Sequence, residues 1–161
     1  IGEVLGLADE GVALAQRSEE ELADAKAAIA QIAPDEPLRI AFLYARGANG
    51  VFYILGRDSG TDDLIDGIGG IDVATANDIG APSPASPEAL AELNPEVYIR
   101  MSGSPESVGD IEGLLERPGV AQTIAGQKQR VIALPDGQAL AFGPQSGQLL
   151  LEAARAIYHN E

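Results

Sequence analysis

The sequence predicts an α/β fold, a mainly parallel sheet flanked by helices, and three observations carry that expectation. After Pro37, strand-type apolar runs alternate with stretches of helical periodicity, the pattern of a layered α/β sheet. Before Pro34 lies one long Ala-, Glu- and Leu-rich stretch with helix propensity throughout. The length of 161 residues suits one domain with its own core.

The elements follow in order. Residues 1–7 read as the tail of a helix closed by Gly6. Residues 8–33 read as a helix whose apolar positions Val12, Ala15, Leu22, Ala25, Ile29 and Ile32 form a buried stripe. Ser18 and Glu21 fit a capping box that would divide this helix in two. Pro34 and Pro37 end it. Leu38 to Tyr44 is a strand broken only by Arg39, and Val51 to Leu55 a second, an edge hairpin partner across the turn Gly47-Ala48-Asn49-Gly50. Thr61 is expected to cap a helix that Gly69-Gly70 stops, with Asp62 and Asp63 in its first turn. Asp72 to Ala85 is the least patterned part, a long loop around one short strand. Ser86-Pro87 opens a helix to Leu93, Pro95 to Met101 is a strand, Asp110 to Glu116 a short helix and Arg130 to Leu134 a strand. Gly143-Pro144 starts a terminal helix with Leu149, Leu150, Ala153, Ala154 and Ile157 as its apolar face.

Composition excludes several classes. Ten Lys and Arg against 25 Asp and Glu give a formal charge of -15, which repels phosphate backbones and argues against nucleic-acid binding. With no Cys, neither a disulfide framework nor a thiolate metal site exists. No apolar run reaches the roughly 18–20 residues of a membrane span. The chain opens on Ile1-Gly2-Glu3, so a piece of something longer is expected. Residues 67–70 lack the spacing of a dinucleotide fingerprint, and no phosphate loop, nucleophile elbow or zinc-protease motif is present. The carboxylates of residues 58–66 miss the spacing of a calcium loop. A single His, His159 near the end of the chain, makes a Ser-His-Asp triad untenable.

One stretch, RIAFLYARGANGVFYILG from Arg39 to Gly56, raises a chemical question. It ends a strand in a phenol and a guanidinium two residues apart. Residues i and i+2 share a face, so Tyr44 and Arg46 point together, at the carboxyl end of a strand where parallel sheets gather ligands. A guanidinium beside a phenol favours the phenolate, a hard ligand suited to ferric iron, haem iron included. The other reading is that Arg46 pairs with a surface carboxylate and Tyr44 is a partly buried aromatic bonded to a carbonyl. A second Tyr-x-Arg, Tyr98 and Arg100, lies within a strand, where a helix layer should cover the tyrosine. Met101 ends that strand beside or near the Tyr44 tip, and a lone Met is ordinarily core filler.

The segments SPEALAELNPEVYIRM (86–101), GLLERPGVAQTIAGQKQRVIALP (113–135) and AFGPQSGQLLLEAARAIY (141–158) resemble the C-terminal half of substrate-binding proteins of ABC importers for haem, iron-siderophores and cobalamin. The likeness runs from about Ala8 to Tyr158. Within that family LYARG, VFYILG and SGTDDLIDGIGG look most like haemin-binding proteins of actinobacterial, corynebacterial type. The resemblance implies residues 1–34 as a connecting helix region and 35–161 as the C-terminal α/β ligand-binding lobe of a two-lobed protein. It implies haem as the transported ligand, with a ferric siderophore or cobalamin as the alternative and a small-ligand α/β enzyme as a remoter one. It makes Tyr44 the iron ligand, Arg46 the residue that hydrogen-bonds the tyrosine oxygen, and Met101 a neighbour of the haem, while Arg57 or Arg100 would meet a haem carboxylate. It further implies docking on the ABC-transporter permease through Asp66, with Asp62 and Asp63 nearby, haem donors upstream, and an extracytoplasmic place, as a cell-surface lipoprotein or in the periplasm. The family's second iron ligand is a histidine of an N-terminal lobe that this chain lacks, and His159 is a poor substitute, so weakened affinity is expected of the isolated lobe.

Overall fold

A computed structural model of the chain describes residues 1–46, 51–103, 110–141 and 143–159, with Arg46 described by its backbone alone. A short 3-10 turn, Glu3–Leu5, is closed by Gly6 in the left-handed region at φ 72°. Helix α1 then runs without a break over Ala8–Ile29. The capping box at Ser18 does not form. The Ser18 hydroxyl donates instead to the Leu14 carbonyl at 2.9 Å, one turn back in a continuous helix.

The strands are β1 (Arg39–Arg46), β2 (Val51–Leu55), β3 (Ile71–Asp72), β4 (Ser83–Pro84), β5 (Val97–Met101) and β6 (Val131–Leu134). Among the described residues they form one sheet in the order β4-β2-β1-β5-β6, with β3 added beside the start of β1. The pairings of β1 with β3 and β5, and of β5 with β6, are parallel; β2 pairs antiparallel with both β1 and β4. The expected antiparallel pairing of β1 and β2 is therefore present, the turn over residues 47–50 lying outside the described residues, but β2 is no edge, because β4 covers its outer side.

Alternation along β1 divides the core between the two faces of the sheet. Ile40 and Phe42 face α1, α2 (Thr61–Gly67) and α8 (Ser146–Tyr158), with Leu64, Ile65, Leu149, Leu150 and Ile157 packed above them. Ala41, Leu43 and Ala45 face α3 (Val73–Ala76), α4 (Pro87–Leu93), α5 (Ile111–Leu115) and α6 (Ile124–Gln127). One more turn, α7 (Asp136–Ala139), follows β6. The predicted face of the terminal helix is buried at all five positions.

The stripe on α1 is only half right. Ala25 and Ile29 are buried and Leu22 and Ile32 half-buried, but Val12 is 59% exposed and Ala15 is exposed too. The reason is length. The 22 residues of α1 span about 33 Å and the 13 of α8 about 20 Å. Because Gly147, at the start of α8, already meets α1 at Glu21 and Leu22, the first turns of α1 extend past their partner.

Local chemistry explains the other elements. Ser86 accepts from the Ala89 N–H at 3.2 Å as the cap of α4, and Asp110 from the Gly113 N–H at 2.9 Å as the cap of α5. Thr61 does not cap α2: Gly60, at φ 73°, holds the cap position and the Thr61 hydroxyl donates to the Gly56 carbonyl. Gly69, at φ 83°, and Gly70 close α2 by donating to Asp66 and Ile65 carbonyls. In the stretch expected to be a loop, Asp72 caps α3 through Ala74 N–H and the Thr75 hydroxyl, at 3.0 and 2.7 Å. Arg39, the charge that interrupts β1, donates to the Leu93 and Asn94 carbonyls and so satisfies the end of α4.

Candidate functional site

The site is assembled by register at the strand tips. Leu43 of β1 lies opposite Arg100 of parallel β5, so Tyr44 and Met101 come one step further on, at the carboxyl ends. Tyr44 lies opposite Tyr53 of antiparallel β2, and Met101 opposite Leu134 of β6. A row Tyr53, Tyr44, Met101, Leu134 thus crosses four strands, each about 4.8 Å from the next. All four belong to the face that α1, α2 and α8 cover, at its rim. Leu134 is buried; Tyr53, Tyr44 and Met101 are half-buried. Neither the Tyr44 nor the Tyr53 hydroxyl makes a hydrogen bond to a described residue.

The strand tips are held from beyond. Asp136, which opens α7 after β6, accepts from the Gly103 N–H at 2.7 Å and from the Ser102 hydroxyl at 3.5 Å. The segment after Met101 is thereby tied to the segment after β6. Arg46 ends β1 opposite Val51, and its side chain lies outside the described residues, as do residues 47–50 and 104–109.

Other candidates are placed elsewhere. Tyr98 is fully buried on the opposite face, among Ala41, Leu90 and Leu114. Its hydroxyl makes no hydrogen bond to a described residue, and burial pushes its phenol up to about 12, with only a smaller opposing pull from the Thr123 side chain. Arg100 follows Tyr98 onto that face and is 5% exposed, so it does not look toward Tyr44. Arg57 lies past the far end of β2, where it pairs with Asp78 at 3.2 Å. His159 caps α8 at the opposite end of the sheet: the Ile157 carbonyl just before it accepts from Arg130, which precedes β6. Neither Arg57 nor Arg100 is thus placed to meet a ligand carboxylate at the Tyr44 tip.

Asp66 is exposed on α2 and lines a groove of about 370 Å³ between α1, α2 and the start of α8, together with Ser18, Lys26, Asp63 and Ser146. Among the described residues no group of three or more His, Asp or Glu is placed to hold a metal ion, and no helix is long and apolar enough to cross a membrane.

Tyr53 is the residue that reading the sequence missed. Its signal was present in the alternation of VFYIL, but which β1 residue it faces depends on a hairpin register that the sequence leaves open.

An open α/β sheet with helices on both faces is the architecture of one lobe of a periplasmic binding protein, in which ligands gather at the carboxyl ends of the strands. The family model for periplasmic binding proteins matches residues 1–137, and the chain belongs to that family. It is similar over 98% of its length to the crystal structure of the heme binding protein HmuT, with 54% identity and a TM-score of 0.92, and covers 51% of that chain. Other HmuT structures carry alanine in place of a tyrosine, of an arginine two positions later, and of a histidine. The periplasmic heme-binding protein RhuT from Roseiflexus sp. RS-1, in apo form, matches with 36% identity and a TM-score of 0.90, over 98% of this chain and 59% of that one. BhuT in complex with two hemes matches with 26% identity and a TM-score of 0.87, again over 98% and 59%. The chain therefore spans roughly half the length of these proteins. Among curated proteins none matches.

Proposed function

We propose that this chain is the C-terminal haem-binding lobe of the substrate-binding protein of an ABC importer, and that it binds its cargo and performs no chemistry on it. Tyr44 supplies a phenolate to ferric iron, Arg46 favours that charge state, and Met101 packs beside the macrocycle. The observation that carries the reading is the half-buried Tyr44, its hydroxyl without a described partner, at the carboxyl end of the middle strand and beside Met101. The Tyr-x-Arg spacing altered in the HmuT variants matches Tyr44 and Arg46, and the full burial of Tyr98 supports the choice of this pair over Tyr98 and Arg100.

In this reading α1 and residues 1–34 form the connection to an N-terminal lobe that supplies the second axial ligand. The exposed Asp66 is a contact with the permease, haem arrives from upstream donors, and the protein works outside the cytoplasm as a lipoprotein or in the periplasm.

Adding ferric haem to the full-length protein tests the ligand. A Soret shift and a phenolate-to-iron charge-transfer band are expected, and Tyr44→Phe should abolish the band. No Soret change, or one indifferent to Tyr44→Phe, refutes the assignment. For the docking contact, Asp66→Lys should lower haem uptake by cells while leaving haem affinity unchanged; wild-type uptake refutes it.

A further inference from the structure

The four tyrosines of the chain fall into two pairs. Tyr98 and Tyr158 are buried, the latter with its hydroxyl donating to the Ile68 carbonyl at 2.8 Å. Tyr44 and Tyr53 are half-buried, lack described hydrogen-bond partners and are cross-strand neighbours at one tip of the sheet. Tyr53 is moreover held firmly. Its strand is paired on both sides, opposite Tyr44 in β1 and opposite Pro84 in β4, and its neighbours Phe52 and Ile54 are locked in the core of the other face.

We infer that Tyr53 is a positioning residue for the ligand site, its ring packing beside that of Tyr44 and extending the floor on which a flat macrocycle rests. The inference rests on the haem reading of Tyr44. Side chains directly opposite in an antiparallel pair have Cβ atoms about 4.5–5.5 Å apart, so the two rings reach each other. A strand-tip tyrosine otherwise has two common χ1 wells open to it; a ring on one flank and Met101 on the other narrow its swing and fix the direction of its oxygen. A macrocycle held at Tyr44 would be broader than the gap between neighbouring strands, so Tyr53 on one side and Met101 on the other would both lie within its reach. A solvated tyrosine with no such role would tolerate any strand-forming side chain.

The test uses the full-length protein with ferric haem, and compares Tyr53→Phe, Tyr53→Leu and Tyr53→Ala. The readouts are the iron–phenolate stretch in resonance Raman and the rate of haem transfer to apomyoglobin. Tyr53→Phe should behave as wild type, because it keeps the ring. Tyr53→Leu and Tyr53→Ala should still bind haem but broaden or shift the stretch and release haem up to about tenfold faster, the scale of one lost aromatic contact. Leu keeps the bulk and strand preference, so it decides the matter if the Ala variant does not fold. Wild-type stretch and release in Tyr53→Leu, with the band still dependent on Tyr44, overturn this inference and leave the haem reading standing. A Phe variant that behaves like the Leu variant overturns the role of the ring. No Soret change in the wild type, or indifference to Tyr44→Phe, overturns both.

Discussion

Replacing Gly147 with alanine sets two local effects against each other. Alanine is favoured over glycine within a helix by up to about 1 kcal/mol, and Gly147 lies in the first turn of α8. A Cβ at this position, however, would sit 2.8 Å from the Glu21 carbonyl oxygen, 3.0 Å from its carbon and 3.1 Å from Leu22 Cα. These are backbone atoms of α1 and cannot rotate away, so the two helices must separate or the new methyl must be crowded. Overpacking of this kind costs about 1–3 kcal/mol. The expected net loss is about 1–2 kcal/mol, which lowers a urea midpoint by about 0.5–1 M for a slope near 2 kcal/mol/M. Urea unfolding of the chain, followed by far-UV circular dichroism, measures it. Gly137→Ala is the matched control: it also lies in a helix, but its Cβ would meet nothing within 4 Å, so stability should hold or rise by about 0.4–1 kcal/mol. A midpoint for Gly147→Ala at or above wild type would show that α1 and α8 are not in close backbone contact.

Two further outcomes are expected. Tyr98→Phe removes a buried hydroxyl that makes no hydrogen bond to a described residue and should raise stability by about 1 kcal/mol, seen as a higher Tm; a lower Tm would show that the hydroxyl has a partner. Asp72 gives a pH dependence. Burial holds its carboxyl above the ordinary 3.8, against the opposing Thr75 and Ala74 hydrogen bonds. The native state then keeps the proton longer than the unfolded chain, so the stabilisation is complete below about pH 3.8 and is lost as pH rises through the folded value. Asp72→Asn retains an acceptor for Ala74 N–H and should flatten that part of the stability–pH curve, and an unchanged slope in urea titrations refutes the argument.

The residue patterns foretell much of this molecule and fail at identifiable places. The apolar runs of β1, β5 and β6 and the face of α8 are local patterns, and the structure keeps them; α1 ends at Ile29, before the stop expected at Pro34 and Pro37. Ser18 misleads because a hydroxyl inside a helix has a carbonyl one turn back within reach, an option equivalent in sequence to a cap. Helices α3, α6 and α7 have four residues each. None is long enough to show a period, and they stand because Asp72, Thr123 and tertiary packing hold them. Val12 and Ala15 carry a buried pattern but remain exposed, since burial depends on whether a second helix reaches that far.

For the site, the sequence by itself determined the residue types and one spacing: a phenol, and a guanidinium two positions later, at the end of an apolar strand. It also offered a second such pair, which spacing alone does not rank, although its place within a strand already set Tyr98 beneath an expected helix layer. The tertiary structure sets the two pairs apart, burying Tyr98 on one face and leaving Tyr44 half-buried at the rim of the other. It also placed Met101 and Tyr53 on either side of Tyr44, residues that are 57 and 9 positions away in sequence. Alternation along one strand is a short-range property written in the chain, whereas the register between strands is set by turns, crossovers and the packing of both faces together.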